Sequence, residues 1–245
     1  MPVFILDQDG SPGDLNRLTA QLGFAQLGEE VIGYTDASFD TLPLKAGDIV
    51  VGGVGYVRRA QARLGLHMPD IPAIPGPLRS FAGRDLWQAP LAEVRERVNA
   101  GEAIFVKPAP DQTKRFTGAV WSAFRDLIET AHLPGDTLVD CAGIVDFRAE
   151  YRTFVQHGDI LDMRPYKGDP LCLPNPDVVR DAVAAYADGP AAYALDVGVT
   201  AEGATLVVEV NDAYATGAYG LAPVRYAGWI TARWTELWSA HNSTL

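Results

Sequence analysis

The segment from Ala191 to Tyr219 constrains the fold more than any other part of the chain, because its pattern is typical of a β-hairpin. Residues 193–199 and 205–210 are two runs rich in β-forming side chains. The four residues between them, 201–204, predict a turn in which Gly203 can adopt a positive φ. These features together predict a β-hairpin at this position.

The predicted turn sets which residues face each other across the hairpin. If Thr200 faces Thr205, counting outward places Asp196 opposite Glu209, with Asn211 one pleat further along the same face. Opposed carboxylates repel unless a cation lies between them, and hard oxygen ligands suit Mg²⁺ that also binds phosphate and water. The alternatives are acids that face solvent, or a one-residue register shift that would undo the pairing.

Composition narrows the class of protein. The chain has 245 residues, of which 48% are hydrophobic, so it can bury one large core or two small ones. Its net charge of −11 argues against a nucleic-acid partner, although a basic pocket for phosphate is compatible with it. Two cysteines give no disulfide framework, and we find neither a signal peptide nor an apolar run near the ~20 residues of a membrane span. We therefore expect a cytoplasmic protein without a membrane partner.

The first part of the chain alternates strands and helices, which is typical of a small α/β domain. The predicted elements are strand 3–6, helix 15–27, strand 30–34, strand 48–51 and helix 58–66. The run from Gly52 to Gly55 lacks the GxGxxG spacing of a dinucleotide loop and favours a tight strand-to-helix turn. Four prolines within 68–77 predict a stiff linker, so we place the domain boundary at residues 76–77.

A buried strand that ends in a cation follows two predicted helices, which span 78–88 and 91–100. The strand covers 103–108, and burying Lys107 near its end costs desolvation free energy unless the ammonium meets an anion. The polar loop that follows contains Lys114, Arg115, Thr117 and Gly118. Such a loop could cover phosphate with cations and backbone N–H groups. A lysine that emerges at a strand edge and a solvated loop are the alternatives.

Two further strands carry arginine side chains toward the same predicted sheet as the hairpin. Strand 147–155 places Glu150 and Arg152 on one face, and its partner strand 160–166 carries Arg164. Arginine suits bidentate contact with phosphate or carboxylate, while structural ion pairs would explain the same residues. The remaining predicted elements are strand 137–141, a connecting segment at 142–145, helix 177–186 and a terminal helix at 227–240 whose aromatic residues face the core.

Four motifs in this order resemble the ATP-grasp superfamily. They are FVKP at 105–108, FTG at 116–118, EYRTFV at 150–155, and LDVGV followed by VVEVND at 195–212. The resemblance is closest to the divergent small members and covers about residues 70 to 240. It implies an α+β fold with two α+β lobes around an antiparallel sheet, at about 77–140 and 141–245. Residues 1–76 are similar in kind to the small α/β domain that precedes the grasp in this superfamily.

The resemblance also implies roles for individual residues toward ATP and Mg²⁺. Lys107 would contact the nucleotide phosphates, the loop with Lys114, Arg115, Thr117 and Gly118 would cover them, Gly143, Ile144 and Val145 would contact adenine, and Glu150 would hold the ribose. Arg152 and Arg164 would stabilise the transferring phosphate or bind a carboxylate substrate. Asp196, Glu209 and Asn211 would hold Mg²⁺. One departure is the apolar connecting segment, where many members carry an acidic residue.

The activity implied by this resemblance is that of a carboxylate–amine ligase. Such an enzyme activates a carboxylate as an acyl phosphate and joins it to an amine, in a small molecule or a peptide. The alternative is an ATP-binding assembly factor or interaction protein for a protein partner, without turnover of small molecules. A homodimer is a separate expectation about partners. A plain α/β fold without nucleotide is the third hypothesis.

Overall fold

The structure is a computed structural model that describes residues 2–6, 15–67, 69, 71–109 and 115–243. It begins with a three-stranded parallel sheet in the order β2-β1-β3. The elements are β1 (Pro2–Leu6), α1 (Leu15–Gln26), β2 (Glu30–Tyr34), β3 (Ile49–Val51) and α2 (Val54–Arg63). The predicted α/β alternation is confirmed, and α2 begins directly after the Gly52-Gly53 pair, as expected for a tight strand-to-helix turn.

A second, antiparallel sheet has the order β4-β7-β5-β6. Its elements, with the helix between the first two strands, are β4 (Leu86–Pro90), α3 (Leu91–Asn99), β5 (Ile104–Pro108), β6 (Ala119–Trp121) and β7 (Leu138–Ala142). The apolar residues of α3 and β5 bury one hydrophobic cluster with Val139 and Trp121. The cluster fixes the orientation of β5, which carries Lys107 near its carboxyl end.

The prediction of a helix over residues 78–88 is wrong. A short 3-10 helix covers only Gly76–Phe81, and the chain then enters β4. Gly83 has a φ of 61°, which a right-handed helix does not tolerate, so the helical turn cannot continue. Residues 86–90 instead pair antiparallel with β7, and this non-local pairing overrides the local preference for a helix.

A third, antiparallel sheet has the order β11-β10-β8-β9. It is built from β8 (Phe147–Gln156), β9 (Asp159–Gly168), β10 (Ala192–Thr200) and β11 (Thr205–Asp212), with α4 (Pro176–Ala185) inserted before β10 and α5 (Pro223–Asn242) after β11. All four predicted strands and both predicted helices are therefore present. This sheet joins the predicted hairpin to the predicted arginine-bearing strands.

The two faces of this third sheet have different neighbours. One face packs against α4 and the 3-10 helix through Tyr151, Leu195 and Val197. At one end of the other face, Trp229 of α5 packs edge-on against Phe154 and donates a hydrogen bond to the Val155 carbonyl at 2.8 Å. The rest of that second face carries the charged residues of β8, β10 and β11.

The terminal helix α5 is 20 residues long, and its tryptophans Trp229 and Trp234 are fully buried. The same hydrophobic cluster contains residues of the N-terminal sheet, so α5 joins the first and last parts of the chain. No helix in the described ranges is both long enough and apolar enough to cross a membrane. The domain boundary at residues 76–77 stays a prediction.

Candidate functional site

A cavity of about 900 Å³ lies between the second and third sheets. Its apolar wall includes Leu86, Trp87, Phe105, Ile144 and Val208. Charged side chains from both sheets also reach it, among them Lys107, Asp140, Glu150, Lys167 and Glu209. A mostly apolar cleft with a few convergent charges is the usual form of a small-molecule site, and this volume is large enough for a cofactor.

Lys107 and Glu209 meet across this cavity, one from each sheet. The Lys107 ammonium lies 3.1 Å from an oxygen of the Glu209 carboxylate, and both side chains are partly buried. Burial would raise the pKa of Glu209, but Lys107 and the amide of Asn211 outweigh it and lower that pKa. Glu209 is therefore held as a carboxylate at the mouth of the cavity.

Beneath Glu209, Asp196 forms a buried bidentate ion pair with Arg152. Nε and Nη2 of Arg152 lie 2.8 and 2.6 Å from the two carboxylate oxygens. Burial raises the pKa of Asp196 to about 6, against the lowering effect of the guanidinium. Burial would lower the pKa of Arg152, yet the bonds to Asp196 raise it, so the arginine stays charged.

Asn211 joins the two acids. Its side-chain amide lies 3.1 Å from Asp196 and 3.0 Å from Glu209, so the three side chains predicted to hold Mg²⁺ meet at one point. Two carboxylates and the amide oxygen of Asn211 are ligands of the kind that Mg²⁺ accepts. The Asn211 amide nitrogen donates to both acids and Arg152 bonds to both Asp196 oxygens, so these contacts would rearrange around an ion. Among the described residues, no group of three or more His, Cys, Asp or Glu side chains could hold a metal alone. Phosphate and water would have to complete the shell.

The hairpin register is partly different from the predicted one. Asp196 pairs with Glu209 as expected, but Val199, not Thr200, pairs with Thr205. A β-bulge at Val208 shifts the register by one residue between the turn and the acids. Gly203 has the expected positive φ, 83°. The pairing of the acids was therefore predicted correctly although the count from the turn was one residue off.

The two predicted arginines pair in register on β8 and β9, but their guanidinium groups differ in environment. Arg164 bonds to Asp162, two residues earlier, at 2.6 Å and is 41% exposed. Neither arginine lines the cavity, but Arg152 contacts Asp196 while Arg164 does not. A role for Arg164 stays a prediction.

Glu150 lines the cavity and is itself buried. It accepts a hydrogen bond from the Tyr166 hydroxyl at 2.6 Å and forms an ion pair with Lys167 at 2.5 Å. Burial, Asp196 and Glu150 together raise the pKa of Tyr166, so its hydroxyl remains a donor. The carboxylate is accordingly fixed in orientation toward the cavity.

The predicted connecting segment follows β7 and forms part of the cavity wall through Gly143, Ile144 and Val145. The Gly143 N–H donates to the Asp85 carbonyl at 3.0 Å, so it is already satisfied within the protein. A ligand at this wall would therefore receive no hydrogen bond from the Gly143 N–H.

The basic loop after β5 is only partly described. Lys114 lies outside the described residues, and Arg115 and Thr117 are exposed. Gly118 packs against Lys107, because a Cβ added there would come within 3.1 Å of the Lys107 Cβ. The described end of the loop thus lies beside the strand lysine, although Arg115, Thr117 and Gly118 do not line the cavity. That the loop covers phosphates stays a prediction.

Several residues of the site were missed by sequence reasoning. Arg84, Trp87 and Gln88 line the cavity, although they fall in the segment that was predicted to be helical. The Tyr219 ring covers Arg152, with 4.5 Å between the guanidinium carbon and the ring centroid, and its φ is 46°. The one available signal was the Tyr-Gly pair at 219–220, since glycine at a turn often accompanies a positive φ.

Comparison with known families and structures agrees with this geometry. A family described as an ATP-grasp domain matches residues 81–229, which is more than half of the chain. A comparison with proteins of curated function found no match.

Three solved structures illustrate the fold. The D-cycloserine synthetase DcsG is 12% identical with a TM-score of 0.62, over 96% of this chain and 100% of that one. D-alanine–D-alanine ligase from Bacillus anthracis is 14% identical with a TM-score of 0.54, over 98% and 99%. The macrocyclase MdnC from Microcystis aeruginosa, bound with its precursor peptide MdnA, is 11% identical with a TM-score of 0.53, over 94% and 99%. The predicted ATP-grasp fold with its antiparallel sheets is confirmed.

Proposed function

The chain belongs to the ATP-grasp superfamily, and from this membership and the cavity geometry we propose that it is an ATP- and Mg²⁺-dependent ligase. It would activate a carboxylate and join it to an amine. The observation that carries the proposal is the 3.1 Å contact between Lys107 and Glu209, which brings a cation of one sheet to a carboxylate of the other at the edge of the cavity.

The nucleotide would lie in the cavity with its phosphates toward this contact. Lys107 supplies positive charge there, and the loop with Lys114, Arg115, Thr117 and Gly118 would close over the phosphates. The base would pack between Ile144, Val145 and the apolar wall, and Glu150 would accept hydrogen bonds from the ribose hydroxyls. This orientation follows from the charges, since the phosphate end needs cations and the base end needs apolar surface.

Asp196, Glu209 and Asn211 would hold Mg²⁺. When bound, the ion would offset the negative charge of the phosphates. Lys107 and Arg152 also neutralise the two acids, at 3.1 and 2.6 Å. The protein therefore keeps two carboxylates close together without leaving either charge uncompensated.

The chemistry follows from the poor reactivity of a carboxylate. A carboxylate oxygen of the substrate attacks the γ-phosphorus of ATP, ADP leaves, and an acyl phosphate forms. The amine nitrogen then attacks the acyl carbon, loses a proton and expels inorganic phosphate, which leaves an amide. Positive charge from Lys107 and Arg152 would stabilise the phosphoryl group during transfer, with Arg164 as a further candidate. Loop closure would exclude water, which otherwise hydrolyses the intermediate.

Nucleotide binding is the first test. MgATP at about 100 times its Kd should stabilise the protein by about 2.7 kcal/mol and raise the melting temperature accordingly. Lys107→Ala and Glu209→Gln should abolish most of this shift. Lys45→Ala and Glu202→Gln serve as matched controls, because both positions are exposed and outside the cavity wall. A wild-type protein that shows no shift with MgATP or MgADP would refute the proposal.

Turnover is the second test. Amino acids and short peptides are the first substrates to try, because the similar solved structures include a D-alanine–D-alanine ligase and a peptide macrocyclase. Release of ADP and phosphate should require an acid and an amine together and should match the amide formed. MgATP binding without turnover, together with a stable complex with another protein, would support the assembly-factor hypothesis instead.

A further inference from the structure

Arg84 bonds to three main-chain carbonyls near the cavity. Its Nη1 lies 2.9 Å from both the Ala82 and Val207 oxygens, and its Nη2 lies 2.9 Å from the Val208 oxygen. The guanidinium thus joins the segment before β4 to the middle of β11, 123 and 124 residues later in the chain. A planar group with a fixed fork of donors suits two adjacent acceptors of this kind.

The two β11 carbonyls belong to successive residues. In a regular strand, successive residues alternate in direction, so one group cannot normally bond to both carbonyls. The arrangement is possible here because the register shifts at this point, from Val197 opposite Val207 to Asp196 opposite Glu209. Val208 is the extra residue of the bulge.

The bulge determines which residues of β11 line the cavity. Val207 and Val210 both lie in the hydrophobic cluster below the sheet, although they are three residues apart. Val208 and Glu209, neighbours in sequence, both line the cavity. Without a bulge, neighbours in a strand would face opposite sides of the sheet.

Hydrophobic patterning does not require this bulge. The run LVVEVN at 206–211 also fits the alternating pattern of a regular strand. In such a strand Val208 would be buried in place of Val207. Exchanging one valine for another in the core leaves the buried apolar area nearly unchanged. Hydrophobic patterning alone therefore does not explain the bulged form.

The segment before β4 contacts this part of β11. Gly83 has a φ of 61°, and a Cβ there would come within 2.6 Å of a Leu206 methyl group, so the chain passes very close to β11. Arg84 follows directly and donates to the carbonyls on both sides of the shift. Because partly buried carbonyls without donors are costly, removing the guanidinium would favour the regular strand.

We propose that Arg84 is a positioning residue that holds the bulge in β11, so that the apolar Val208 and the carboxylate Glu209 face the same cavity. The consequence for nucleotide binding rests on the proposed function, in which Val208 belongs to the wall that contacts the base and Glu209 is the acid near the phosphates. The structural part of the inference does not depend on ATP. A direct ion pair between Arg84 and a nucleotide phosphate is the competing explanation, since Arg84 also lines the cavity.

Two substitutions separate these explanations. Arg84→Lys keeps the positive charge but lacks the fork of donors, and Arg84→Gln loses both. Arg180→Gln is the control, because Arg180 is an exposed arginine on α4 that forms an ion pair with the exposed Asp177. Melting temperature and far-UV circular dichroism verify that each variant is folded before binding is compared.

The first measurement is amide hydrogen exchange of the nucleotide-free protein over residues 205–210. We expect faster exchange there in both Arg84 variants and no change in Arg180→Gln, because local opening follows loss of the contacts that hold the strand. The second is the Kd of MgATP, which should rise about tenfold or more in both variants, as for loss of hydrogen bonds from a charged donor.

Other outcomes would overturn the inference. If Arg84→Lys binds MgATP like the wild type while Arg84→Gln does not, and exchange over 205–210 is unchanged, then Arg84 acts by charge on the ligand. If the variants do not fold, Arg84→Ala is tested with millimolar guanidinium, which should restore slow exchange at 205–210; no restoration contradicts the inference. Failure of the wild type to bind MgATP would refute the proposed function, while the exchange data would still test Arg84.

Discussion

Arg152 and Asp196 form a bidentate ion pair on adjacent strands, β8 and β10, with contacts of 2.8 and 2.6 Å. The Asp196 side chain is 1% exposed and that of Arg152 is 10% exposed. A charge this deeply buried is tolerated only while its partner is present. The pair lies behind the cavity wall and is joined through Asn211 to Glu209, which lines the cavity.

Replacing Arg152 by Met should destabilise the protein by about 3–5 kcal/mol, because Asp196 would be left buried without a counter-charge. Chemical denaturation measures the loss. The double variant Arg152→Met with Asp196→Asn should recover part of it, since no uncompensated charge then remains.

Arg164→Met is the matched control for this prediction. Arg164 lies opposite Arg152 on β9 and pairs with Asp162, but it is 41% exposed. Exposed pairs contribute about 0–1 kcal/mol, so this variant should be nearly as stable as the wild type. If Arg152→Met and Arg164→Met lost equal free energy of unfolding, the burial of the Arg152 ion pair would not determine its contribution to stability.

Gly168 and Gly158 allow a second matched comparison at the two ends of β9. Both have a positive φ, 78° and 83°, so alanine at either position is strained by about 1–2 kcal/mol. A Cβ at Gly168 would also lie 2.0 Å from the Arg148 carbonyl oxygen, whereas the space around Gly158 is open. Overpacking adds about 1–3 kcal/mol, so Gly168→Ala should be clearly less stable in thermal unfolding.

This comparison also bears on the cavity. Gly168 follows Lys167, which pairs with Glu150. Displacing the end of β9 should therefore weaken nucleotide binding in Gly168→Ala and leave it unchanged in Gly158→Ala. If both variants bound nucleotide with the affinity of the wild type, the native conformation at the end of β9 would not be needed for Lys167 to orient Glu150.

The two cysteines should differ in reactivity. Burial raises the pKa of the Cys141 thiol to about 12, from an ordinary value near 9, so very little thiolate exists at neutral pH. Cys172 is partly exposed. Iodoacetamide at pH 8 should label Cys172 in the native protein and Cys141 only after unfolding, as mass spectrometry of the digested protein would show.

The same shift predicts a direction for stability. Because folding raises the pKa of Cys141, the buried thiol makes its full contribution to the free energy of unfolding below pH 9. That contribution is lost as the pH rises from 9 toward 12, because in this range the thiol ionises in the unfolded chain before it ionises in the folded protein. Cys141→Ala should reduce this loss between pH 9 and pH 12. Labelling of Cys141 in the native protein at pH 8 would contradict the assigned burial.

Local pattern was enough to predict what depends on neighbours in sequence. The two β-rich runs and the glycine turn predicted the hairpin, and the helical spacing of apolar residues predicted α5. The opposition of Asp196 and Glu209 was predicted from a turn count that was one residue off, and the bulge makes up the difference. Residues 78–88 failed because β4 is defined by pairing with β7, about 50 residues away in sequence. A short stretch of sequence does not identify a strand partner that lies so far along the chain.

The same distinction separates the predicted site residues from the missed ones. Lys107, Glu150 and Glu209 lie in strands with recognisable motifs, and the structure places all three at the cavity. Arg84 acts on residues more than 120 positions away, and the bulge it contacts leaves no trace in an alternating sequence. Non-local hydrogen bonds of this kind are set by the packed chain and not by periodicity.

Tyr219 tests whether the aromatic cover of Arg152 matters for the proposed reaction. Its ring lies 4.5 Å from the guanidinium carbon, Tyr166 lies at 5.5 Å, and the Tyr219 backbone adopts a positive φ that is unfavourable for tyrosine. A strained residue persists when its surroundings hold it in place, and such strain clusters at functional sites. We expect the ring to keep the Arg152 charge away from water.

Tyr219→Phe should therefore retain ligase turnover, while Tyr219→Ala should lose about 0.5–2 kcal/mol of cation–π interaction and show slower amide formation with little change in MgATP affinity. Initial rates and calorimetric titration measure the two quantities separately. Leu171→Ala is the control, because Leu171 is exposed and outside the cavity wall. If Tyr219→Phe were as slow as Tyr219→Ala, the hydroxyl and not the ring would be the functional group, and the cover over Arg152 would have no part in turnover.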